Sequence, residues 1–216
     1  MQFKLIVFDF DGTIADTLHH AHAILNELAE EYGFDRLPES ELERAKGMSA
    51  SQFIRFLHIP KRKVPILLGK GKKMLRANLN EIPVCKGMDA MLKQLHEEGW
   101  RMGILTSNSV ENVEAFLKDK DLDYFEFVSS VGGISGKHKY MRAILRTFSL
   151  RPESMLYVGD ETRDVKASKK VRVPVAACCW GFNNEQALSA FKPEFLVKDP
   201  VELIDVVHAE GVEPPV

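Results

Sequence analysis

The sequence predicts an α/β fold in which a doubly wound parallel sheet carries an all-helical insertion. Three observations predict it. Short apolar runs of strand length alternate with helical patterns from about Pro83 onward. Another such run, Leu5-Ile6-Val7-Phe8, stands apart near the start. Between Asp16 and about Asn80 only helical patterns occur. Runs that are apolar on both faces are the mark of strands covered on both sides.

The opening run ends in Asp9-Phe10-Asp11-Gly12-Thr13. Residues i and i+2 of a strand share a face, so Asp9 and Asp11 start out pointing the same way. Two such carboxylates repel each other unless a cation sits between them. The hard cation that suits carboxylates best is Mg2+. Gly12 then lets the backbone turn sharply.

The insertion begins with a helix to about Tyr32, on which Ala21, Ile24, Leu25 and Leu28 recur at helical spacing and which Gly33 ends. Pro38-Glu39-Ser40-Glu41 starts a second helical stretch, broken at Gly47. Ser49 caps a third, with Phe53, Ile54, Phe56 and Leu57. Pro60 opens the last, with Leu67, Leu68, Met74 and Leu75. After Pro83 comes a helix from Gly87 to Glu98, then a strand over 101–105, a helix around Val113 and Phe116, and a strand over 125–128. A helix holding Met141, Ile144, Leu145 and Phe148 leads to a strand over 155–158. A helix from Asp164, a strand over 174–179, a short edge strand over 195–197 and a final helix to Ala209 complete the pattern.

The informative polar groups lie just past the carboxyl ends of predicted strands, where open parallel sheets bind ligands. Asp9 and Asp11 follow the first strand, Thr106-Ser107-Asn108 the second, and Asp160 with Asp164 the fourth. Phosphoryl transfer gives these groups roles, since it needs an in-line nucleophile, neutralisation of the equatorial oxygens and a proton for the leaving alcohol. Asp9 is the candidate nucleophile. Asp11 is the candidate acid that protonates the leaving oxygen and then activates water. The Thr106 hydroxyl, with the backbone N–H groups after it at Ser107 and Asn108, is a candidate donor set for phosphoryl oxygens. Gly12 and Thr13 join them as candidate substrate-binding positions. Asp160 is a candidate direct metal ligand, as are Asp9 and Asp11, while Asp164 acts through water, orients a neighbour or caps its helix. Lys137 lies four residues before Met141, on the face that Met141, Ile144 and Leu145 bury, whereas Lys139 falls opposite; Lys137 is therefore the candidate balancing cation.

Net charge −2 supplies no basic field to attract nucleic acid or an anionic membrane surface. No run reaches transmembrane length, and the N-terminal run is too short and too acidic for a signal peptide. Three cysteines, two of them adjacent at Cys178 and Cys179, form no disulfide framework. A cytoplasmic protein is expected, with the adjacent pair in the core.

In order, Asp9-Phe10-Asp11-Gly12-Thr13, Thr106-Ser107-Asn108, Lys137 and Gly159-Asp160 with Asp164 resemble the four motifs of the haloacid dehalogenase superfamily of phosphohydrolases. Trp180-Gly181-Phe182 and Pro193-Glu194-Phe195 are similar to the phosphoglycolate phosphatase-like subgroup. The resemblance implies a Rossmann-like core over 1–15 and 83–216, with a helical cap domain over 16–82. It implies Mg2+ held by Asp9, the main-chain carbonyl of Asp11, and Asp160. It implies hydrolysis of a small phosphorylated metabolite, phosphoglycolate-like or a sugar phosphate, through an aspartyl phosphate. A phosphomutase of the β-phosphoglucomutase type and a catalytically silent metabolite-binding protein are the alternatives. Haloacid dehalogenases themselves lack the second aspartate, so Asp11 argues against dehalogenation. The subgroup usually has Ala-Gly near Val171-Arg172, so here a non-glycine residue falls at the end of a helix. In the cap, Arg44 and Lys46 beside Gly47 are candidates for closing over the substrate. His19, His20 and His22 are read as hinge and first helical turn. Lys61, Arg62, Lys63, Lys70, Lys72, Lys73 and Arg76 are read as a solvated face.

Overall fold

The computed structural model describes residues 3–131 and 136–208. Strands β1 (Leu5–Phe8), β2 (Met102–Thr106), β3 (Val128–Ser130), β4 (Met155–Gly159), β5 (Val175–Cys178) and β6 (Phe195–Val197) form one parallel sheet in the order β3-β2-β1-β4-β5-β6. The chain steps outward from β1 to β3, then returns to β4 on the other side of β1. The order therefore reverses between β1 and β4, the place where sheets of this kind open a ligand crevice.

The insertion is helical, as expected: α1 (Leu18–Tyr32), α2 (Leu42–Lys46), α3 (Ala50–Phe56) and α4 (Val64–Ala77), with short 3₁₀ turns between them. Gly33 ends α1 at φ +68°. Ser49 and Gln52 form a reciprocal capping box at the start of α3. The two crossings between insertion and sheet run side by side, with Asp16 N donating to Pro83 O and Cys85 N to Ile14 O at 2.9 and 2.8 Å.

After the insertion follow α5 (Met88–Glu97), α6 (Val110–Asp119), α7 (Lys137–Thr147), α8 (Thr162–Val171), α9 (Glu185–Ser189) and α10 (Glu202–His208). Alternation along β1 divides its side chains between two layers. Ile6 and Phe8 pack with Met91 and Leu92 of α5 and Phe116 of α6. Leu5 and Val7 pack with Met141 and Leu145 of α7 and Val165 of α8. Burying each such side chain contributes about 1.5–3 kcal/mol. Among the described residues no helix is long and apolar enough to cross a membrane.

Two expectations change. The third strand lies at Val128–Ser130, not 125–128. Glu126 bends the chain there, its carboxylate pairs with Arg101, and Phe125 packs edge-on against Phe8. The short helix α9 was not predicted; Asn184 caps it and Leu188 buries it. The last helix is described to His208, and Ala209 lies outside the described residues. At the end of α8, Arg172 takes the left-handed position at φ +60°, so the turn survives without glycine.

Candidate active site

Asp9 is the first residue past β1. Its N–H donates to Val158 O at 2.8 Å, which holds it beside the end of β4. The side chain is 2 % exposed; Oδ1 accepts from Phe10 N at 2.8 Å and Oδ2 from Lys137 Nζ at 2.5 Å. Lys137 opens α7 and is 5 % exposed, while Lys139 faces solvent. A cation at a helix N-terminus opposes the dipole. Here Nζ also donates to Asp164 Oδ1 at 2.6 Å and lies 5.4 Å from the centre of the Tyr157 ring. Burial pulls the Lys137 ammonium down, but Asp164 and Asp9 together outweigh it and hold its pKa above the ordinary lysine value.

Asp160, just past β4, is fully buried. Its Oδ1 accepts from the Thr13 hydroxyl at 2.9 Å and its Oδ2 from Phe182 N at 2.7 Å. Gly12 makes this approach possible. It sits at φ +76°, and a Cβ there would stand 2.3 Å from Asp160 Oδ2. Gly12 and Thr13 thus meet Asp160 directly. Asp164 makes two kinds of bond at once: Oδ2 accepts from Glu161 N at 3.1 Å as part of a capping box, and Oδ1 meets Lys137.

One carboxylate oxygen from each of Asp9, Asp160 and Asp164 lies within 4.8 Å of the others. Three carboxylates against one ammonium leave excess negative charge, which a divalent cation would offset. Burial pushes the Asp160 carboxyl well above its usual range, and the charges of Glu161 and Asp9 add to that. Burial likewise pushes Asp164 up to about 6 against the pull of Lys137. A buried, all-oxygen donor set with excess negative charge matches what a hard divalent cation requires.

The Asp11 side chain, expected with this triad, does not join it. Its two oxygens instead accept from Asn108 Nδ2, each at 3.2 Å. Burial, with the charge of Asp9 added, raises its pKa to about 7. The Thr106 hydroxyl accepts from Asn108 N at 3.0 Å and shapes the loop. Ser109, not 106–108, caps α6. Ser107 meets two cations: its carbonyl accepts from Lys72 Nζ and its hydroxyl from Arg163 Nη2 at 3.4 Å.

The insertion overhangs this edge and encloses a cavity of about 390 Å³ whose polar end includes Asp11, Ser107, Asn108, Lys72 and Arg163. Lys46 borders an adjoining cavity of about 440 Å³. Arg44 borders neither; it is exposed, paired with Glu41 and laid over the Phe56 ring. Lys72, read with its neighbours as solvated, reaches inward from α4. The signal for it was present: it stands four residues after Leu68 and three before Leu75, on their face. Nothing in the local sequence sets Arg163 apart from the surface arginines; its contacts with Glu161 and Ser107 place it at the cavity. Asn183 carried no local signal. It accepts from Thr162 N at 2.9 Å and donates to Lys46 O at 2.8 Å, tying the start of α8 to the turn between α2 and α3.

Residues 6–178 match the family model described as haloacid dehalogenase-like hydrolase. The chain is 33 % identical over 205 residues to a phosphoglycolate phosphatase from Synechococcus elongatus, covering 94 % of this chain and 97 % of that protein. It is 22 % identical to pyrophosphatase PpaX from Bacillus cereus, covering 96 % and 97 %. A haloacid dehalogenase-like hydrolase from Streptococcus pneumoniae superposes with a TM-score of 0.80 at 18 % identity, over 94 % of this chain and 98 % of that one. At that identity the superposition speaks for the fold.

Proposed function

The chain belongs to the haloacid dehalogenase-like hydrolases and is a phosphatase of that family, and on this premise we propose that it is a Mg2+-dependent enzyme acting on a small phosphomonoester. The convergence of Asp9, Asp160 and Asp164 around Lys137 is the observation that carries the proposal. The relatives named phosphoglycolate phosphatase and pyrophosphatase support a small phosphorylated substrate.

Asp9 attacks phosphorus in line, the P–O bond to the alcohol breaks, and the phosphoryl group passes to the carboxylate. Asp11, with its pKa raised to about 7, gives the departing oxygen its proton. The same carboxylate then takes a proton from water, which attacks the aspartyl phosphate and releases phosphate. Lys137 holds the Asp9 carboxylate in place through Oδ2 and is itself anchored on its other side by Asp164. The Thr106 hydroxyl proton and the N–H of Ser107 serve the phosphoryl oxygens. Asp9, Asp160 and Asp164 would hold Mg2+, together with the Asp11 carbonyl that the family pattern implies. The bound ion supplies positive charge against the phosphoryl oxygens as they gain negative charge. We place the mobile cap at 16–82, closing on the paired crossings at 14–16 and 83–85 and excluding bulk water from the intermediate.

Acid-quenched turnover followed by peptide mass spectrometry tests this. A phosphoryl group on Asp9, absent in Asp9→Asn along with turnover, is the expected result. Full turnover by Asp9→Asn, or a phosphoryl group on another residue, would remove Asp9 as nucleophile.

A further inference from the structure

The cavity of about 390 Å³ that begins at Asp11 and Asn108 extends well past them. Its remaining wall is largely hydrocarbon from the insertion, including Leu25 and Leu28 of α1, Phe53 and Ile54 of α3, and Leu67 of α4. That volume falls among pockets that enclose multi-carbon ligands, far more room than a two-carbon acid fills. Apolar wall left facing water is unfavourable in proportion to its area, so an apolar occupant gains by covering it.

Gly71 is part of the same wall. It lies inside α4, where glycine is a poor choice. A Cβ there would meet only Ile24 Cγ2 at 3.9 Å and Leu28 Cδ1 at 4.0 Å, ordinary contacts. Packing therefore does not require the glycine, and its effect is to leave the space open.

We propose that the substrate is the phosphomonoester of an apolar alcohol of several carbons, its hydrocarbon body seated against α1, α3 and α4, with Gly71 setting the size limit. This rests on the phosphatase chemistry above and narrows its substrate class away from glycolate and sugars.

Ethyl and hexyl phosphate test it, because their leaving alcohols are nearly equal in acidity and differ mainly in hydrocarbon. Each buried methylene is worth roughly fourfold, so kcat/KM for hexyl phosphate exceeds that for ethyl phosphate by on the order of a hundredfold. Gly71→Leu fills the space and collapses that ratio. Gly69→Leu, whose Cβ has nothing within 4 Å, keeps it. A ratio near one in the native protein, a ratio untouched by Gly71→Leu, or better turnover of phosphoglycolate or glucose 6-phosphate than of hexyl phosphate would overturn the proposal. Absence of turnover with every ester, phosphoglycolate included, would instead remove the phosphatase chemistry beneath it.

Discussion

Asp11 and Asp164 begin with the same intrinsic acidity and are raised to about 7 and about 6. Both are raised chiefly by burial; Lys137 restrains Asp164, while Asp11 has only the Asn108 amide and the more distant Arg163 charge. A carboxyl near 7 is half protonated at neutral pH, which suits a group that must first give a proton and then take one. As pH rises past about 7 the protonated form is lost and turnover falls. Replacement Asp11→Asn removes that falling limb and lowers kcat by about 10²–10⁴. A pH profile of kcat/KM checks this; a limb that persists in Asp11→Asn assigns it to another group. Much at this scale was legible in the sequence. Lys137 was separable from Lys139 because a helix has a definite period, and the buried Met141 fixes which face is inside. Arg163 was not separable from a surface charge, because its contact with Ser107 is made only in the folded chain, whereas Lys72 shares a helix face with Leu68 and Leu75.

Local geometry shows the same division. Gly33 and the Ser49–Gln52 box are terminal signals readable from neighbours alone. The displaced β3 and the unpredicted α9 are held by distant partners, Arg101 for the approach to β3 and the sheet face for Leu188. Arg172 marks a local conflict: a side chain held at φ +60° at the end of α8 strains the backbone by about 1–2 kcal/mol. Arg172→Gly relieves that strain but adds freedom to the unfolded chain, for a net gain of roughly 0.5–1 kcal/mol. Denaturant unfolding measures it, with kcat unchanged since Arg172 is exposed. A loss of stability would mean that the arginine side chain holds that turn.

Across the whole molecule, a sheet that reverses its order between β1 and β4 brings residues 9 and 160 side by side, and α7 and α8 carry Lys137 and Asp164 to the same edge. Strand and helix alternation made that edge legible, but the volume under the insertion was not, because it depends on the relative placement of four helices. The gathered acids also make a prediction about stability. Asp11, Asp160 and Asp164 are all raised above their unfolded values, so the native state binds more protons than the unfolded state between about pH 4 and 7. Stability of the metal-free protein therefore falls as pH rises through that window, by on the order of several kcal/mol. Mg2+ opposes the fall by binding the ionised native form. Melting curves at pH 5 and pH 8 in chelator, repeated with excess Mg2+, check the sign; metal-free protein that is more stable at pH 8 would contradict it.

Direct calorimetric titration of the chelator-treated protein with Mg2+ comes closest to the centre of the matter. Native protein should take up a single ion per chain, and Asp160→Asn, confirmed folded by circular dichroism, should take up none. Equal uptake by the two, or none by the native protein, would mean that the three aspartates do not form a cation site.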